Sequence, residues 1–285
     1  MRIQSDPGYV LPNLYSSSRN GNHPKIDTGS SHELIHYDTL DLRSVVPRQL
    51  PVDAIQHETP KFFFNTEINA SLDKVLSGKA PEVSKAAYHI IEANIFATNS
   101  DRSDEDRALL LEAGLAQARY LADHYMNDSE SAEFLDTMNL LAAVAKTRKV
   151  DPATGSVSFV ELPQKPQGAP SDYVNPQKLM QRFDPKAYAD LQAAVKTGGN
   201  TGGVLIEFVK KMRLHPEWAQ DYRKEQESLM AGLRNTKIEN RFESVQTTNM
   251  EAFVNQMKEK AEQVSPQNID FLASNVAYFA HLLGK

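Results

Sequence analysis

Five consecutive residues, His32-Glu33-Leu34-Ile35-His36, carry the one formal catalytic pattern of the chain, H-E-x-x-H. On a helix, histidines four residues apart share a face and can bind a zinc ion, and the glutamate between them can polarise a metal-bound water. The surroundings point elsewhere. Gly29-Ser30-Ser31 stands where an apolar turn would bury such a site, and Asp38 falls where these helices keep an apolar residue. Ser30 and Glu33 have the spacing of a capping box, which accounts for the glutamate without chemistry. Upstream lies only a polar tail, with no flanking sheet and no third ligand marked by spacing.

Other chemistry is sparser still. Thr197-Gly198-Gly199-Asn200-Thr201-Gly202-Gly203 is the most glycine-rich stretch. Backbone N–H groups in such a stretch can approach a phosphate. It lacks the lysine and hydroxyl of a P-loop, and no buried strand precedes it, so it reads as an inter-helix turn with Gly198 or Gly199 ending a helix. His89, His124 and His281 fall on separate helices, with no spacing that brings them together. Glu105-Asp106 stands at a helix start, where dipole compensation is a sufficient explanation. Pro163-Gln164-Lys165-Pro166 has the P-x-x-P form of a polyproline ligand but suits a stiff linker equally. Neither a G-x-S-x-G elbow nor an S-x-x-K set with its partners occurs.

Composition sets the limits. The chain has 285 residues, 40% of them apolar and 24% charged, which is ordinary globular usage and enough for a core. A net charge of -6 argues against nucleic acid as a partner, because an acidic surface repels phosphate backbones. The densest basic group, Lys146, Arg148 and Lys149, falls where a helix should end and complements its terminal carbonyls. With no cysteine, disulfides, thiolate metal sites and cysteine nucleophiles are excluded. Residues 1–30 have no leader pattern, and no run of about 18 apolar residues suggests a membrane span. The expected location is the cytoplasm, with leaderless export as the other route.

The elements that would position any site are mainly helical. Residues 1–65 read as a flexible or extended N-terminal arm, because turn formers and Pro7, Pro12, Pro24, Pro47, Pro51 and Pro60 interrupt it throughout. A helical block follows over residues 66–150. Val83, Ala87, Ile90, Ile91, Asn94 and Ile95 share one helical face. Ser103 followed by Asp104-Glu105-Asp106 starts the next helix, and Asn127-Asp128-Ser129 breaks it and caps a third. Residues 151–172 form a β-like excursion and a proline-rich linker, with a short strand predicted at 157–160. A second helical block spans 173–285 and possibly shares one core with the first. It carries the cap-and-proline starts Asn175-Pro176 and Asp184-Pro185, a break at His215-Pro216, and a last helix begun by Ser265-Pro266. Residues 235–250 are polar and give only a weak helical signal.

The fold class expected is therefore all-α: bundle-like helical blocks, a short β-hairpin-like excursion and an irregular N-terminal arm. The function expected is that of a non-catalytic interaction or structural protein with a protein partner, no cofactor and no metal, using its helical faces or its arm. The alternative rests on the resemblance of residues 32–36 to zinc-dependent metalloproteases, which would make His32 and His36 the ligands and Glu33 the general base. Calorimetric titration of zinc into the full chain and into His32→Ala separates the two. No stoichiometric zinc heat is expected from the wild type; tight binding abolished by the substitution would establish the hydrolase instead.

Overall fold

The computed structural model of the protein describes residues 63–97, 102–166, 168–170 and 172–284. The described residues form ten α-helices, and their only strands are two short ones. In chain order these are α1 (Thr66–Leu76), α2 (Pro81–His89), α3 (Asp104–Tyr125), α4 (Asp128–Lys146), β1 (Lys149–Val150), β2 (Val157–Ser158), α5 (Pro176–Phe183), α6 (Pro185–Thr197), α7 (Thr201–Leu214), α8 (Pro216–Arg234), α9 (Met250–Val264) and α10 (Ile269–Leu282). The protein is all-α with one antiparallel hairpin, in which Lys149 faces Ser158 and Val150 faces Val157.

Local chemistry sets most of the boundaries. At α3, the Ser103 hydroxyl accepts from the Asp106 N–H at 3.1 Å while the Asp106 carboxylate accepts from the Ser103 N–H at 3.3 Å. Asn127 and Glu130 form the same reciprocal box at the start of α4. Each box satisfies donors that the first helical turn leaves open. Ser103 is the first cause of an Asp106 carboxyl held below its ordinary range. The expected asparagine and aspartate caps of α5 and α6 are present, each followed by proline at the first helical position. α7 ends at Leu214 and α8 begins at Pro216, so the His215-Pro216 break is complete.

The helix expected across Val83–Ile95 is not regular to its end. From Ile90 to Ile95 it widens into a π-segment, and Phe96 N–H donates to the Ile91 carbonyl at 2.9 Å. The wider turn keeps Ile90, Ile91 and Ile95 in the core and carries Asn94 there too, 1% exposed. The start of the last helix also differs from expectation. Pro266–Asn268 is a 3-10 turn, and α10 proper begins at Ile269, with no side-chain hydrogen bond capping it. A proline directly after the cap favours a tight first turn, and the Ser265 hydroxyl instead accepts from Asn268 Nδ2 at 2.9 Å.

Two apolar clusters organise the helices. The larger draws on α1 to α4, the π-segment, α9, α10, Leu162 and Leu233 near the end of α8. α3 lies deepest within it, buried along Leu109–Ala118 and again at Tyr120–Ala122. The smaller cluster is Leu179, Met180, Ala187, Leu191 and Phe208, supplied by α5, α6 and α7. α8 belongs to both. Trp218 and Tyr222 pack on the smaller cluster, while Leu229, Met230 and Leu233 pack on the larger.

Packing is close between α3 and the π-segment. A Cβ added to Gly114 would stand 2.6 Å from Asn94 Cβ, inside any permitted carbon–carbon contact. Gly114→Ala is therefore expected to force the π-segment outward and cost about 1–3 kcal/mol. A thermal or urea unfolding curve unchanged by this substitution would refute that packing account.

Candidate interaction surface

The second cluster is small for the number of helices around it. α7 has fourteen residues, and Val204, Leu205, Ile206, Phe208, Val209, Met212 and Leu214 are apolar. Phe208 is buried and Val204, Leu205, Val209 and Met212 are half-buried, whereas Ile206 is 58% exposed and Leu214 is 78% exposed. A helix apolar on so many sides normally has neighbours on more than one of them. Val195 near the end of α6 is also 47% exposed.

α6 and α7 form an antiparallel hairpin because the connection between them is only three residues long. Gly198 ends α6 with φ 67°, and Asn200 caps α7 by accepting from Gly203 N–H at 2.8 Å. The cap leaves no room for a side chain at 203, where a Cβ would approach Asn200 Nδ2 to 2.6 Å. At the far end of the hairpin, Lys211 Nζ meets the Asp184 carboxylate at 2.5 Å. This contact is the first cause of an Asp184 carboxyl held below its ordinary range. Lys186 pairs with Asp190 at 2.8 Å and Lys210 with Glu207 at 2.6 Å.

A groove of about 410 Å³ runs between the two helices, with Ala187, Gly203, Val204 and Phe208 among its lining residues and Lys186, Asp190, Glu207 and Lys211 along its sides. Beneath α7, rings of Phe183, Trp218 and His215 stack, with Trp218 centred 5.7 Å from Phe183 and 4.5 Å from His215. The stack is only half-buried, with the His215 side chain 49% exposed at its end. A second, larger groove of about 730 Å³ lies between α1 and α4, reaching Arg234 at the end of α8. The Ser71–Thr137 hydroxyl pair, 2.7 Å apart, lines it, and the ion pairs Lys74–Glu133 and Glu67–Arg234 span it.

His32, Glu33 and His36 lie outside the described residues. Among the described residues no three His, Asp or Glu side chains converge as a metal site requires. His89 and His281 both lie near Tyr278, at ring distances of 4.8 and 6.5 Å. His124 is elsewhere, stacked on Tyr120 at 4.2 Å and hydrogen bonded to the Thr247 carbonyl. The glycine-rich stretch is a turn and a helix start, as its spacing suggested. Arg148 reaches Asp104 at the start of α3 at 3.8 Å, so part of the basic cluster ties two helices together. In the P-x-x-P segment, Gln164 donates to the Phe64 carbonyl, and Leu162 just before it is buried in the larger core.

Two polar arrangements leave no sequence motif. Asn94 and Asn275 exchange amide hydrogen bonds at 3.0 and 3.1 Å, and Gln117 Nε2 donates to Asn275 Oδ1 at 2.8 Å. This amide group joins the π-segment, α3 and α10 where their apolar surfaces meet. Asn94 is the one polar member of its apolar face, which is the only sign of it in the sequence. The second arrangement lies along α3. Arg241 makes three hydrogen bonds to Glu112, through its backbone N–H, Nε and Nη2, at 2.8–2.9 Å, and a fourth to Glu105 at 2.6 Å. Farther along, Arg119 donates to the Glu243 and Val245 carbonyls, and the Thr247 hydroxyl meets Asp123 at 2.5 Å. Residues 235–249, between α8 and α9, are therefore strapped to α3 by side chains rather than coiled into a helix.

No protein-family model matches this chain, and comparison with curated proteins and with solved structures finds no significant match. The geometry is the whole ground for a functional reading. Within it, Glu112 is 6% exposed and answers the charge of Arg241, whose guanidinium is thereby held above its ordinary range. Glu112→Ala is expected to cost about 2–3 kcal/mol, less than for a fully buried pair because the Arg241 side chain is 32% exposed. Unfolding curves measure the cost, and hydrogen exchange should rise first over residues 240–248.

Proposed function

We propose that this protein is a non-catalytic interaction protein that docks a protein partner through the α6–α7 hairpin. The observation that carries this reading is that Ile206 and Leu214 of α7 stand exposed, while Phe208 is buried and Val204, Leu205 and Met212 pack half-buried on the smaller cluster. Single exposed apolar residues are normal on any protein surface. Ile206 and Leu214 on one short helix, with Val195 on its hairpin partner, are the apolar surface offered to another molecule. The hairpin is also stiff, held by the Gly198 turn, the Asn200 cap and the Asp184–Lys211 ion pair, so its face is preorganised for docking. The described grooves hold ion pairs and hydroxyls that satisfy one another, and none presents a nucleophile beside a base.

The double substitution Ile206→Asp with Leu214→Asp tests whether this face is free. The full-length variant should unfold within about 0.5 kcal/mol of the wild type, because neither side chain is in the core. Surface hydrophobicity reported by dye binding should fall. A marked drop in the thermal midpoint would show that the face is packed within the molecule, and the reading would be lost.

A further inference from the structure

We infer that α5, α6 and α7 form a unit that opens from the rest of the molecule by itself, so that the α6–α7 face is presented only while the unit is closed. The opening stands on packing alone; its bearing on docking rests on the reading above. The two apolar clusters share no residue. Helices α5, α6 and α7 pack on one another and, through α5 and α7, on α8. None of the extensive helix pairings among the described residues joins them to α1–α4, α9 or α10. The five buried residues of the smaller cluster all come from these three helices, and α8 adds only the half-buried Trp218 and Tyr222.

Length and burial both make this unit the weaker one. α5 has 8 residues, α6 has 13 and α7 has 14. Isolated helices shorter than about 12–15 residues are marginal in water, so these three depend on the contacts they make with one another and with α8. The ion pairs that tie the unit to its surroundings lie at the surface. Arg182 reaches Glu225 of α8 at 3.0 Å and Lys178 reaches Glu161 at 2.6 Å, with the two glutamate side chains 43% and 62% exposed. Pairs so exposed contribute little. Regions with few buried apolar contacts open locally, ahead of the global transition.

α8 makes the separation possible. Trp218 and Tyr222 near its start face the smaller cluster, and Leu229, Met230 and Leu233 near its end face the larger. Between them, Arg223–Ser228 include no buried residue, and Lys224, Glu225, Glu227 and Ser228 are exposed. The larger core therefore keeps all of its buried side chains when α5, α6 and α7 leave. Opening uncovers Leu179, Met180, Leu191 and Phe208, and takes Phe183 and Phe208 away from Trp218. The stiffness given by the Gly198 turn, the Asn200 cap and the Asp184–Lys211 pair belongs to the closed form. A partner on that face draws the equilibrium toward closure by its differential affinity for it.

The test uses the full chain, because Trp218 is its single tryptophan and packs on the smaller cluster. Urea unfolding is followed by Trp218 fluorescence and by far-UV circular dichroism. The fluorescence transition is expected at lower urea than the main dichroism transition, which reports the larger cluster. Phe208→Ala should lower the fluorescence midpoint by about 1 M or more and leave the main dichroism midpoint in place. Val83→Ala, in the larger core, should do the reverse. Where Phe208→Ala opens the unit without denaturant, Trp218 emits as in the unfolded chain while the dichroism transition persists, which also supports the inference. Hydrogen exchange at low urea should proceed over residues 176–214 while residues 109–122 stay protected.

Coincident fluorescence and dichroism transitions, lowered equally by Phe208→Ala, overturn the inference, because one cooperative core then includes α5 to α7. Equal protection of residues 176–214 and 109–122 overturns it too. Neither result depends on Ile206 or Leu214, so the docking reading keeps its own test. Conversely, a loss of thermal stability in the Ile206→Asp/Leu214→Asp variant removes the docking face and leaves the separate transitions as they are.

Discussion

Most of the described structure depends on the burial of α3 on nearly all of its sides. From Leu109 to Ala118 every residue of this helix is buried, including Glu112 and Gln117. A helix so placed must satisfy any polar side chain it carries with protein groups, because water does not reach them. The neighbours answer most of this demand, although Gln117 Oε1 is buried without a hydrogen-bond partner among the described residues. Arg241 comes in from the 235–249 segment to meet Glu112, and Asn275 comes from α10 to meet Gln117. Gly114 removes its own side chain so that Asn94 of the π-segment can approach. The polar contacts therefore fix which elements surround α3, while the apolar area supplies the driving force. Apolar contacts alone are compatible with several helix registers, but a part-buried guanidinium–carboxylate fork has few acceptable geometries.

Helices α5 to α8 follow a different rule. Their shared cluster has five buried apolar residues, and its helices hold their relative positions through turns, caps and surface ion pairs. α8 connects the two clusters by offering Trp218 and Tyr222 to one and Leu233 to the other. A long helix transmits position well, so the hairpin is carried on a support anchored in the larger core. That arrangement lets α7 leave aliphatic side chains uncovered without loss to the principal core. It is the physical ground on which the proposed docking falls on this part of the chain rather than on α3, whose sides are already occupied.

Helix starts were readable because their chemistry is local. Ser103, Asn127, Asn175 and Asp184 each cap a helix through a side chain that bonds a backbone N–H two or three residues later. The Gly198 turn and the His215-Pro216 break depend on backbone preferences of single residues, and were equally plain. The π-segment was hidden, since Val83–Ile95 keeps helical spacing and nothing in those residues requires an extra one per turn. Its cause lies in the partner surface, where Gly114 accepts Asn94. The candidate surface was half legible. The residues of α7 display too many apolar positions for one face, but spacing cannot say how many of them a fold will cover.

The sequence by itself determined that the chain is helical, where most of its helices begin, and that thiol chemistry is excluded. Tertiary structure alone decided which helices share a core. It joined α9 and α10 to α1 through α4, brought Asn94, Gln117 and Asn275 together across a separation of 181 residues, and left α7 with one buried side chain. The reason is one of range. Caps and turns are settled by atoms within a few residues of one another, whereas burial depends on which distant surfaces compete for the same apolar area.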